Sequence, residues 1–382
     1  MAGARPKTRS RWLLALIALT ALGGMLAAPV AADAAKKAKG KKVKVYTRNV
    51  LLGADLGPAI GAPDAAGFVA ANGAILREVD ETNFPLRARA LANEIRRKKP
   101  DLVGLQEVAL WRTAPPSFDP VADGPSATTV KQDFLNLLMN RVNKGKKSIR
   151  YRVVKVQNEF DFEAPADYDD DPGTGAATLG GEINGRLTMR DVILARKKAG
   201  VTAKRPRGGN FENPLELIVA GAVPIEVTRG WTSVNAKVRG SKRFRFVNTH
   251  LEAFDDESEV PSIRRLQAGE VVQGPAKAKM PVVLLGDFNS DTVTEVQPGD
   301  AQALTAILNA GFKHRSTRNP RSCCVSDLFS SPPSEFDHVV DHVVAKPGKR
   351  VKLLGSSVLG RAQFQGTYPS DHAGVFSKLR IR

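Results

Sequence analysis

Acids, amides and imidazoles stand at the ends of short apolar segments along this 382-residue chain. They are Asn49, Glu107, His250, Asp287 with Asn289, and Asp341, followed by Ser370, Asp371 and His372 directly before the last such segment. Polar residues at strand ends of an α/β architecture converge on a shared crevice. An anionic ester repels nucleophiles by its negative charge, so its hydrolysis needs a cation, a base for water and donors to the anion. These residue types could supply all three.

Taken singly, most of these residues also have a structural interpretation. Asn49 could satisfy turn backbone, and GDFN at 286–289 could be an Asx turn that closes a strand. His250 could be a core histidine, and SDH at 370–372 could be a cap. Glu107 favours function, because an acid after the apolar DLVGL costs free energy unless it is paired or bound to a metal.

The donor types predict a hard cation. Carboxylate and amide oxygens without cysteine suit Mg²⁺, with Mn²⁺ or Ca²⁺ as alternatives. The only cysteines, Cys323 and Cys324, are adjacent and provide no disulfide framework. Neighbouring Cα atoms lie about 3.8 Å apart, so a bridge between the two would be strained and reducible. We interpret the pair as structural or redox-labile and not as a metal site.

Short β-rich segments must position these residues. They are KVKVYTRNV (42–50), DLVGLQEV (101–108), YRVVKV (151–156), RDVILAR (190–196), RFRFVNTH (243–250), PVVLLGDFN (281–289), DHVVDHVVA (337–345) and AGVFSKLRI (373–381). Several are almost continuously apolar, as expected of strands covered on both faces. Strands and helices alternate without a repeat, which predicts a single α/β domain over 43–382.

Three helices are predicted from apolar residues at spacings of three and four. The first carries Phe84, Ala88, Leu91 and Ile95, begins at Thr82 or Asn83 and stops before Pro100. The second carries Leu135, Leu138, Met139 and Val142, and the third carries Leu304, Ile307 and Leu308, with Gly311 beyond it. The stretches 52–82, 112–130, 157–186 and 200–216 are predicted to be long irregular loops.

The N-terminus has the layout of a secretory signal peptide over 1–34, with basic residues, an apolar run from Trp12 to Ala28 and cleavage after Ala32 or Ala34. An uncleaved membrane anchor is the alternative. A basic segment at 35–42 is predicted to be disordered. The formal charge of +18 falls to about +15 without the leader, which favours nucleic acid or phospholipid headgroups as partners. We expect a secreted monomer.

The order N, QE, NTHLE, GDFN, DH, SDH resembles the endonuclease/exonuclease/phosphatase superfamily over about residues 43 to 381. That superfamily includes pancreatic-type deoxyribonucleases, abasic-site endonucleases, inositol-polyphosphate phosphatases and bacterial sphingomyelinases. The resemblance implies a four-layered α/β sandwich, in which two β-sheets pack face to face with helices outside. The site would lie at one rim, among long loops.

The resemblance also implies a role for each matching residue. Glu107 resembles the principal metal ligand, with Asn49 and Asp371 near the same ion. Asp287 would position or deprotonate the attacking water, and Asn289 would hold a phosphate oxygen. His372 resembles the histidine that contacts phosphate or acts as general base, oriented by Asp341. His250 would be the second histidine, donating to the phosphate or leaving oxygen.

Two assignments stay open in the sequence. DHVVDHVVA offers two Asp-His pairs, and strand alternation points Asp337 and Asp341 the same way, with Asp341 preferred because its apolar run is followed by KPG. Arg190 and Asp191 precede a predicted strand. The arginine could bind the phosphate of the substrate or form a surface salt bridge.

Three functions compete. The leading one is a secreted nuclease or broad phosphodiesterase that acts on DNA or RNA, because the basic balance supplies phosphate affinity. The second is a sphingomyelinase-like phospholipase C, which needs apolar loops that enter a membrane interface. Only Trp111 and Trp231 remain after the leader, which disfavours it. The third, a catalytically inactive binding module, is disfavoured because every expected catalytic position holds a suitable residue.

Overall fold

A computed structural model describes residues 42–116, 124–171, 182–254, 261–294 and 299–382. The predicted leader at 1–34 and all but the last residue of the basic segment at 35–42 lie outside these ranges. In the part described, no helix is long and apolar enough to cross a membrane.

The first sheet has eight strands in the described ranges, in the order β15-β16-β1-β2-β6-β3-β4, with β5 paired to β6. Strands β1 and β2 run parallel, and the other pairs of this sheet are antiparallel. The strands are β1 (Lys42–Asn49), β2 (Leu102–Gln106), β3 (Leu110–Ala114), β4 (Thr129–Asp133), β5 (Tyr151–Ala166), β6 (Ile183–Arg196), β15 (Val351–Leu359) and β16 (Gly374–Ile381).

The second sheet, as far as it is described, has six strands in the order β13-β14-β12-β11-β10-β7, and β8 and β9 form a separate hairpin. Here β11 and β12 are the parallel pair. The strands are β7 (Thr202–Asn210), β8 (Leu215–Val219), β9 (Val223–Val227), β10 (Gly230–Lys237), β11 (Phe244–His250), β12 (Val282–Asp287), β13 (Lys313–His314) and β14 (Asp341–Lys346).

Six α-helices cover the outer faces of the sheets among the residues that the structure describes. They are α1 (Gly57–Ile60), α2 (Ala65–Glu81), α3 (Phe84–Lys98), α4 (Phe134–Val142), α5 (Ile263–Gln273) and α6 (Gln302–Asn309). Buried residues of α2, α3 and α4 form one core with the first sheet, and those of α5 and α6 form another with the second. A third core lies between the sheets. The result is helix, sheet, sheet, helix, which confirms the predicted four-layered sandwich.

Local chemistry explains the helix boundaries. The Asn83 side chain accepts from Leu86 N at the start of α3, as predicted. Asp64 and Ser262 cap α2 and α5 in the same way. Neither of these two helices was predicted, and α2 occupies much of the stretch 52–82 that was expected to be irregular.

Two more predicted loops are also wrong. The described parts of 157–186 are the ends of β5 and β6, a pair of long antiparallel strands that continue well past the cores from which they were predicted. The stretch 200–216 contains β7 and the start of β8. In these strands polar side chains are half exposed, so the apolar pattern that marks a buried strand is missing.

Candidate active site

Strand periodicity carries the polar residues to one rim of the sandwich. Val43 and Val45 of β1 face the other sheet, so Asn49, an even number of residues further on, faces it too. Phe244 and Phe246 set the same direction for His250 on β11. Asn49 and His250 therefore each lie at the end of a row of apolar side chains that packs between the two sheets.

The same rule applies to the neighbouring strands. Val283 and Leu285 lead to Asp287 on β12, and antiparallel β14 begins beside it, with Asp341 paired to Asp287. His250 pairs with Asp287 across the parallel ladder. Sheet pairing thus brings three residues that are distant in sequence to one edge.

Glu107 lies at the centre of the cluster. Its Oε1 accepts from Asn49 Nδ2 at 2.8 Å, and its Oε2 accepts from the Leu52 amide at 2.8 Å. The same Asn49 nitrogen lies 3.1 Å from Asp287 Oδ2. Burial and the nearby Asp371 carboxylate raise the pKa of Glu107, because both disfavour its charged form.

His372 is held through both ring nitrogens. Nδ1 lies 2.9 Å from Asp341 Oδ2, and Nε2 lies 3.5 Å from Asp287 Oδ2. Burial acts to lower the pKa of His372, but the carboxylates of Asp287, Asp341 and Asp371 outweigh it and raise that pKa well above its ordinary value. The contact with Asp341 fixes the direction of the ring.

Asp337, the other candidate partner of His372, lies elsewhere. The strand begins only at Asp341, so the alternation that aligned the two acids does not extend back to Asp337. Its carboxylate is exposed and lies 3.2 Å from Nδ1 of its neighbour His338.

His250 is buried in a different environment. Burial and the Arg229 guanidinium lower the pKa of His250 to about 3, so the ring is neutral at physiological pH. Its Nε2 lies 3.8 Å from Asp287 Oδ2 and 3.2 Å from Asn289 Nδ2. The two histidines therefore differ in environment: burial and Arg229 favour the neutral ring of His250, whereas the neighbouring carboxylates favour protonation of His372.

Arg190 does not join this cluster, which corrects its expected role in phosphate binding. On β6 it points to the helix side with Val192 and Leu194, whereas Asp191 points between the sheets. The Arg190 guanidinium donates to the carbonyls of Val108 and Ala109 and pairs with Asp133 at 2.7 Å. It holds the backbone beyond Glu107.

Several buried groups that support the site were not predicted. Arg87 donates to the Val50 and Pro369 carbonyls, one on each side of the site, and Arg48 donates to the His372 carbonyl. The position of Arg87 between Phe84 and Leu91 on the apolar face of α3 was a signal that could have been read. Arg229, which pairs with Glu252 at 3.2 Å, does not belong to a sequence motif that would have indicated its role.

A buried polar network connects the sheets beneath the rim. Asn248 donates to Asp191 Oδ2 at 3.1 Å and accepts from Gln106. Gly104 makes room for it, since a Cβ there would lie 2.2 Å from the Asn248 oxygen. These hydrogen bonds fix the ends of β2 and β11 relative to each other.

Backbone conformation is unusual next to the site. Glu107 has φ of 57° and Asn289 has φ of 45°, in the left-handed region that residues other than glycine rarely adopt. Asparagine tolerates this backbone conformation better than most residues, and the Asn289 backbone amide donates to Asp287 Oδ1 at 3.0 Å. Such strain is common where side-chain direction is functional.

A cavity of about 640 Å³ opens beside the cluster. Its polar lining includes Glu107, Asp371 and Arg229, while most of its wall is apolar, with residues from α1, α2, β5, β6 and the β8–β9 hairpin. Phe254 and Phe329 lie at its margin and are exposed.

Among the described residues, three sets of acidic side chains lie beside His250 or His372. Glu107 and Asp371 line the cavity and offer oxygen donors, which suits a hard divalent ion. Asp287 and Asp341 form a second set with His372, and Glu159 and Asp191 form a third with His250. Burial raises the pKa of Glu159 to about 8 and that of Asp191 well above its usual range, which disfavours their charged forms.

Asn49, predicted as a metal ligand, lies between two carboxylates of the cluster. Its Nδ2 faces the carboxylates, while its Oδ1 accepts from the Leu51 amide at 2.9 Å. In this arrangement Asn49 bridges Glu107 and Asp287, and its oxygen would face a cation only if the amide reversed.

Fold and site together define a two-sheet α/β sandwich protein with a histidine and carboxylate cluster at one rim. The sequence matches the model of the Endonuclease/Exonuclease/phosphatase family over residues 65–372, and the chain belongs to that family. Members of this family are hydrolases of phosphoric esters and generally depend on a divalent metal. No curated protein sequence matches the chain significantly.

Solved structures agree with the fold. A family protein from Leptotrichia buccalis C-1013-b is similar with a TM-score of 0.52 and 14% identity, over 89% of this chain and 100% of that one. One from Beutenbergia cavernae DSM 12333 has a TM-score of 0.51 and 19% identity, over 89% and 72%. One from Bacteroides thetaiotaomicron has a TM-score of 0.51 and 14% identity, over 90% and 99%.

Proposed function

We propose that this protein is a divalent-metal-dependent phosphodiesterase. The observation that supports this most is the convergence of Glu107, Asp287 and His372 on one cluster, in which Asp287 Oδ2 lies 3.5 Å from His372 Nε2. Water or a phosphate oxygen that contacts these two groups from the open side could exchange protons with either of them.

Each residue has a distinct part in this proposal. Glu107 and Asp371 hold the cation, Mg²⁺ by preference, which supplies charge neutralisation at the phosphate. Asp287 orients the attacking water and Asn289 binds a phosphate oxygen. His372, oriented by Asp341, binds the phosphate or transfers a proton, and neutral His250 donates to an oxygen.

Nucleic acid is the first candidate substrate. The exposed edge strand β7 carries Lys204, Arg205 and Arg207, and its last residue, Asn210, pairs with Gly230, which also pairs with His250. A row of cations therefore leads along the sheet edge towards the rim. A phosphate backbone laid along this row would reach the cluster.

The cavity favours a second candidate, a phosphodiester with a large apolar substituent, as in a phospholipase C reaction. Its apolar wall is continuous with the β8–β9 hairpin, where Ile218 is 61% exposed and Val223 is 44% exposed. The sequence pattern contains no aromatic hairpin, but an aliphatic one with this exposure could enter a membrane interface.

A substrate panel separates the two candidates. Duplex DNA, single strands, RNA, sphingomyelin vesicles, soluble phosphomonoesters and bis(p-nitrophenyl) phosphate are assayed with Mg²⁺ and again with chelator. A nuclease cleaves the polynucleotides, and a lipid phosphodiesterase releases phosphocholine. No hydrolysis of any phosphodiester with Mg²⁺ would contradict the proposal.

The hairpin gives a matched test of the lipid candidate. Ile218→Lys with Val223→Lys places charge on an exposed surface, so the fold should persist. The lipid candidate predicts lower vesicle hydrolysis with unchanged hydrolysis of bis(p-nitrophenyl) phosphate. Equal effects on both substrates would argue against membrane insertion by this hairpin.

We also propose that the chain is secreted, on the basis of its basic and apolar leader. Fractionation of cells that express the full chain, with N-terminal sequencing of the released protein, tests cleavage after Ala32 or Ala34. Retention of an intact N-terminus in the membrane fraction would instead support an anchor.

A further inference from the structure

The adjacent cysteines lie against the histidine of the candidate active site. Cys323 Sγ lies 3.7 Å from His372 Nε2, and Cys324 Sγ lies 3.6 Å from the same nitrogen. The two sulfurs are joined as a disulfide. Cys323 is buried, whereas Cys324 is partly open to solvent.

These distances match the edges of a thiolate and imidazole metal site. With Zn–S of about 2.3 Å and Zn–N of about 2.05 Å, tetrahedral geometry places sulfur and nitrogen about 3.5 Å apart. Both sulfur–nitrogen separations are close to that value, and the two sulfurs must move apart on reduction, because two thiolates on one tetrahedral zinc lie about 3.8 Å from each other. Two thiolates and an imidazole form a soft donor set, unlike the oxygens of Glu107 and Asp371.

Backbone hydrogen bonds hold the cysteine segment in place independently of the disulfide. Cys323 and His338 form a β-bridge, and the Ala373 amide donates to the Ser322 carbonyl at 2.6 Å. The Val325 amide donates to the Asp371 carbonyl at 3.1 Å. The segment is thus fixed to the chain on both sides of His372, so the backbone that carries the two cysteines stays beside His372 after reduction.

The sequence alone indicated that the cysteine pair is not a metal site, and the proximity of His372 revises that interpretation. We propose that reduction of this disulfide creates a site for a thiophilic divalent cation such as Zn²⁺, formed by Cys323, Cys324 and His372. A dithiol reductant breaks the S–S bond, gives two thiols and is oxidised to its own disulfide. The cation then displaces one proton from each thiol and binds the Nε2 lone pair, from which any proton is also released. A solvent molecule takes the fourth position.

Occupation of this site inhibits the enzyme. The Nε2 lone pair used by the cation is the one with which His372 would contact phosphate or accept a proton. The inhibitory consequence rests on the proposed function, whereas the metal site itself does not. In an oxidising extracellular environment the disulfide prevents this inhibition, whereas thiophilic ions inhibit the reduced enzyme.

Cobalt spectroscopy tests the site without reference to activity. The full chain is reduced with a dithiol, freed of reductant under anaerobic conditions and titrated with Co²⁺. Reduced wild type should show thiolate-to-cobalt charge-transfer absorption, and oxidised wild type and Cys323→Ser/Cys324→Ser should not. His372→Gln should weaken Co²⁺ binding but keep the thiolate bands. Identical spectra for reduced wild type and the double serine variant would overturn the proposal.

Zinc titration of Mg²⁺-supported hydrolysis tests the consequence. Reduced wild type should be inhibited at a Zn²⁺ concentration lower by about tenfold or more than the double serine variant, which retains any site at Glu107. Oxidised wild type should respond like the variant. Equal inhibition of all three forms would refute inhibition through the cysteines. Absence of hydrolysis in every form would refute the proposed function while the cobalt spectra still decide on the metal site.

Discussion

His372 shows how individual neighbours define a residue's chemistry at this rim. Asp341 faces one ring nitrogen, and Asp287 and the cysteine sulfurs face the other. The ring direction is therefore fixed, with Nε2 directed at Asp287 and the cysteine sulfurs. A general base, or a hydrogen-bond donor to phosphate, requires an orientation of this kind.

The orienting role of Asp341 predicts a large kinetic effect. Asp341→Asn should lower kcat for a phosphodiester by about 10²- to 10⁴-fold, because the wrong tautomer and charge of His372 are then favoured. The exposed acid of the same motif provides the matched control: Asp337→Asn should keep the wild-type rate. Similar losses in both variants would contradict the assignment.

His250 predicts an acid dependence of stability. Its pKa of about 3 in the folded protein lies below that of an unfolded histidine, about 6.5, so the unfolded chain binds a proton that the folded protein does not. The contribution of His250 to stability is complete at pH values above the unfolded pKa, and it is lost as the pH falls towards the folded pKa.

Comparison of two unfolding profiles checks this dependence. In urea unfolding at pH 7 and pH 4.5, His250→Gln should lose less stability on acidification than wild type, by about 1 kcal/mol or more. Parallel profiles would show that His250 is not held neutral.

Among the elements, α3 links the outer helical layer to the site. Its buried Arg87 donates to backbone carbonyls on both sides of the cluster and stacks near Phe84 and Phe134. Burial lowers the pKa of Arg87 to about 9, so the group is still cationic at neutral pH. One side chain thus connects the chain after β1 with the chain before β16.

Loss of the Arg87 hydrogen bonds should destabilise the protein. Arg87→Met should reduce the free energy of unfolding by about 3 kcal/mol, because buried carbonyls lose their donors. Arg89→Met, on the exposed face of the same helix, should change it by less than about 0.5 kcal/mol. Chemical denaturation measures both. A cost for Arg87→Met as small as that of Arg89→Met would contradict this role.

The elements also show what sequence patterns can predict. Strands with a buried face, such as β1, β11 and β16, were identified close to their true bounds because their apolar rows are short and dense. The helix α2 was missed because its small residues, AAGFVAANGA, resemble a loop in composition. The strands β7 and β8 were missed because their exposed positions interrupt the apolar pattern.

The sequence could predict which polar residues lie at strand ends, but it could not predict the direction of each side chain. GDFN and SDH stood beside predicted strands, and the structure brings them together. Whether Arg190 or Asp191 faced the site depended on the start of β6, which lies several residues before the predicted one. The support from Arg229 and Arg87 arises from tertiary interactions that no local pattern records.

At the scale of the whole molecule, charge and shape point to an anionic ligand. The net charge of +18 is accompanied by a basic row on β7 that leads towards the rim. Counterion release upon phosphate binding makes such affinity sensitive to salt.

The basic row can be tested by salt dependence. Replacement of Lys204, Arg205 and Arg207 by glutamine should reduce the slope of log affinity for duplex DNA against log salt by about 0.9 for each phosphate that the protein no longer neutralises. Hydrolysis of bis(p-nitrophenyl) phosphate should be unchanged, because these side chains lie away from the cluster. An unaltered slope would show that nucleic acid does not follow β7.

The proposed function requires a cation held at Glu107 beside the histidines. The most direct measurement is the rate of bis(p-nitrophenyl) phosphate hydrolysis with chelator and after restoration of Mg²⁺, for wild type, Glu107→Gln and the control Glu81→Gln. Glu81 is an exposed acid that lines the same cavity. We expect chelator to abolish the wild-type and control rates, Mg²⁺ to restore them, and Glu107→Gln to remain about 10²-fold slower. A hydrolysis rate that survives both chelation and the Glu107 substitution would contradict metal-dependent catalysis at this site.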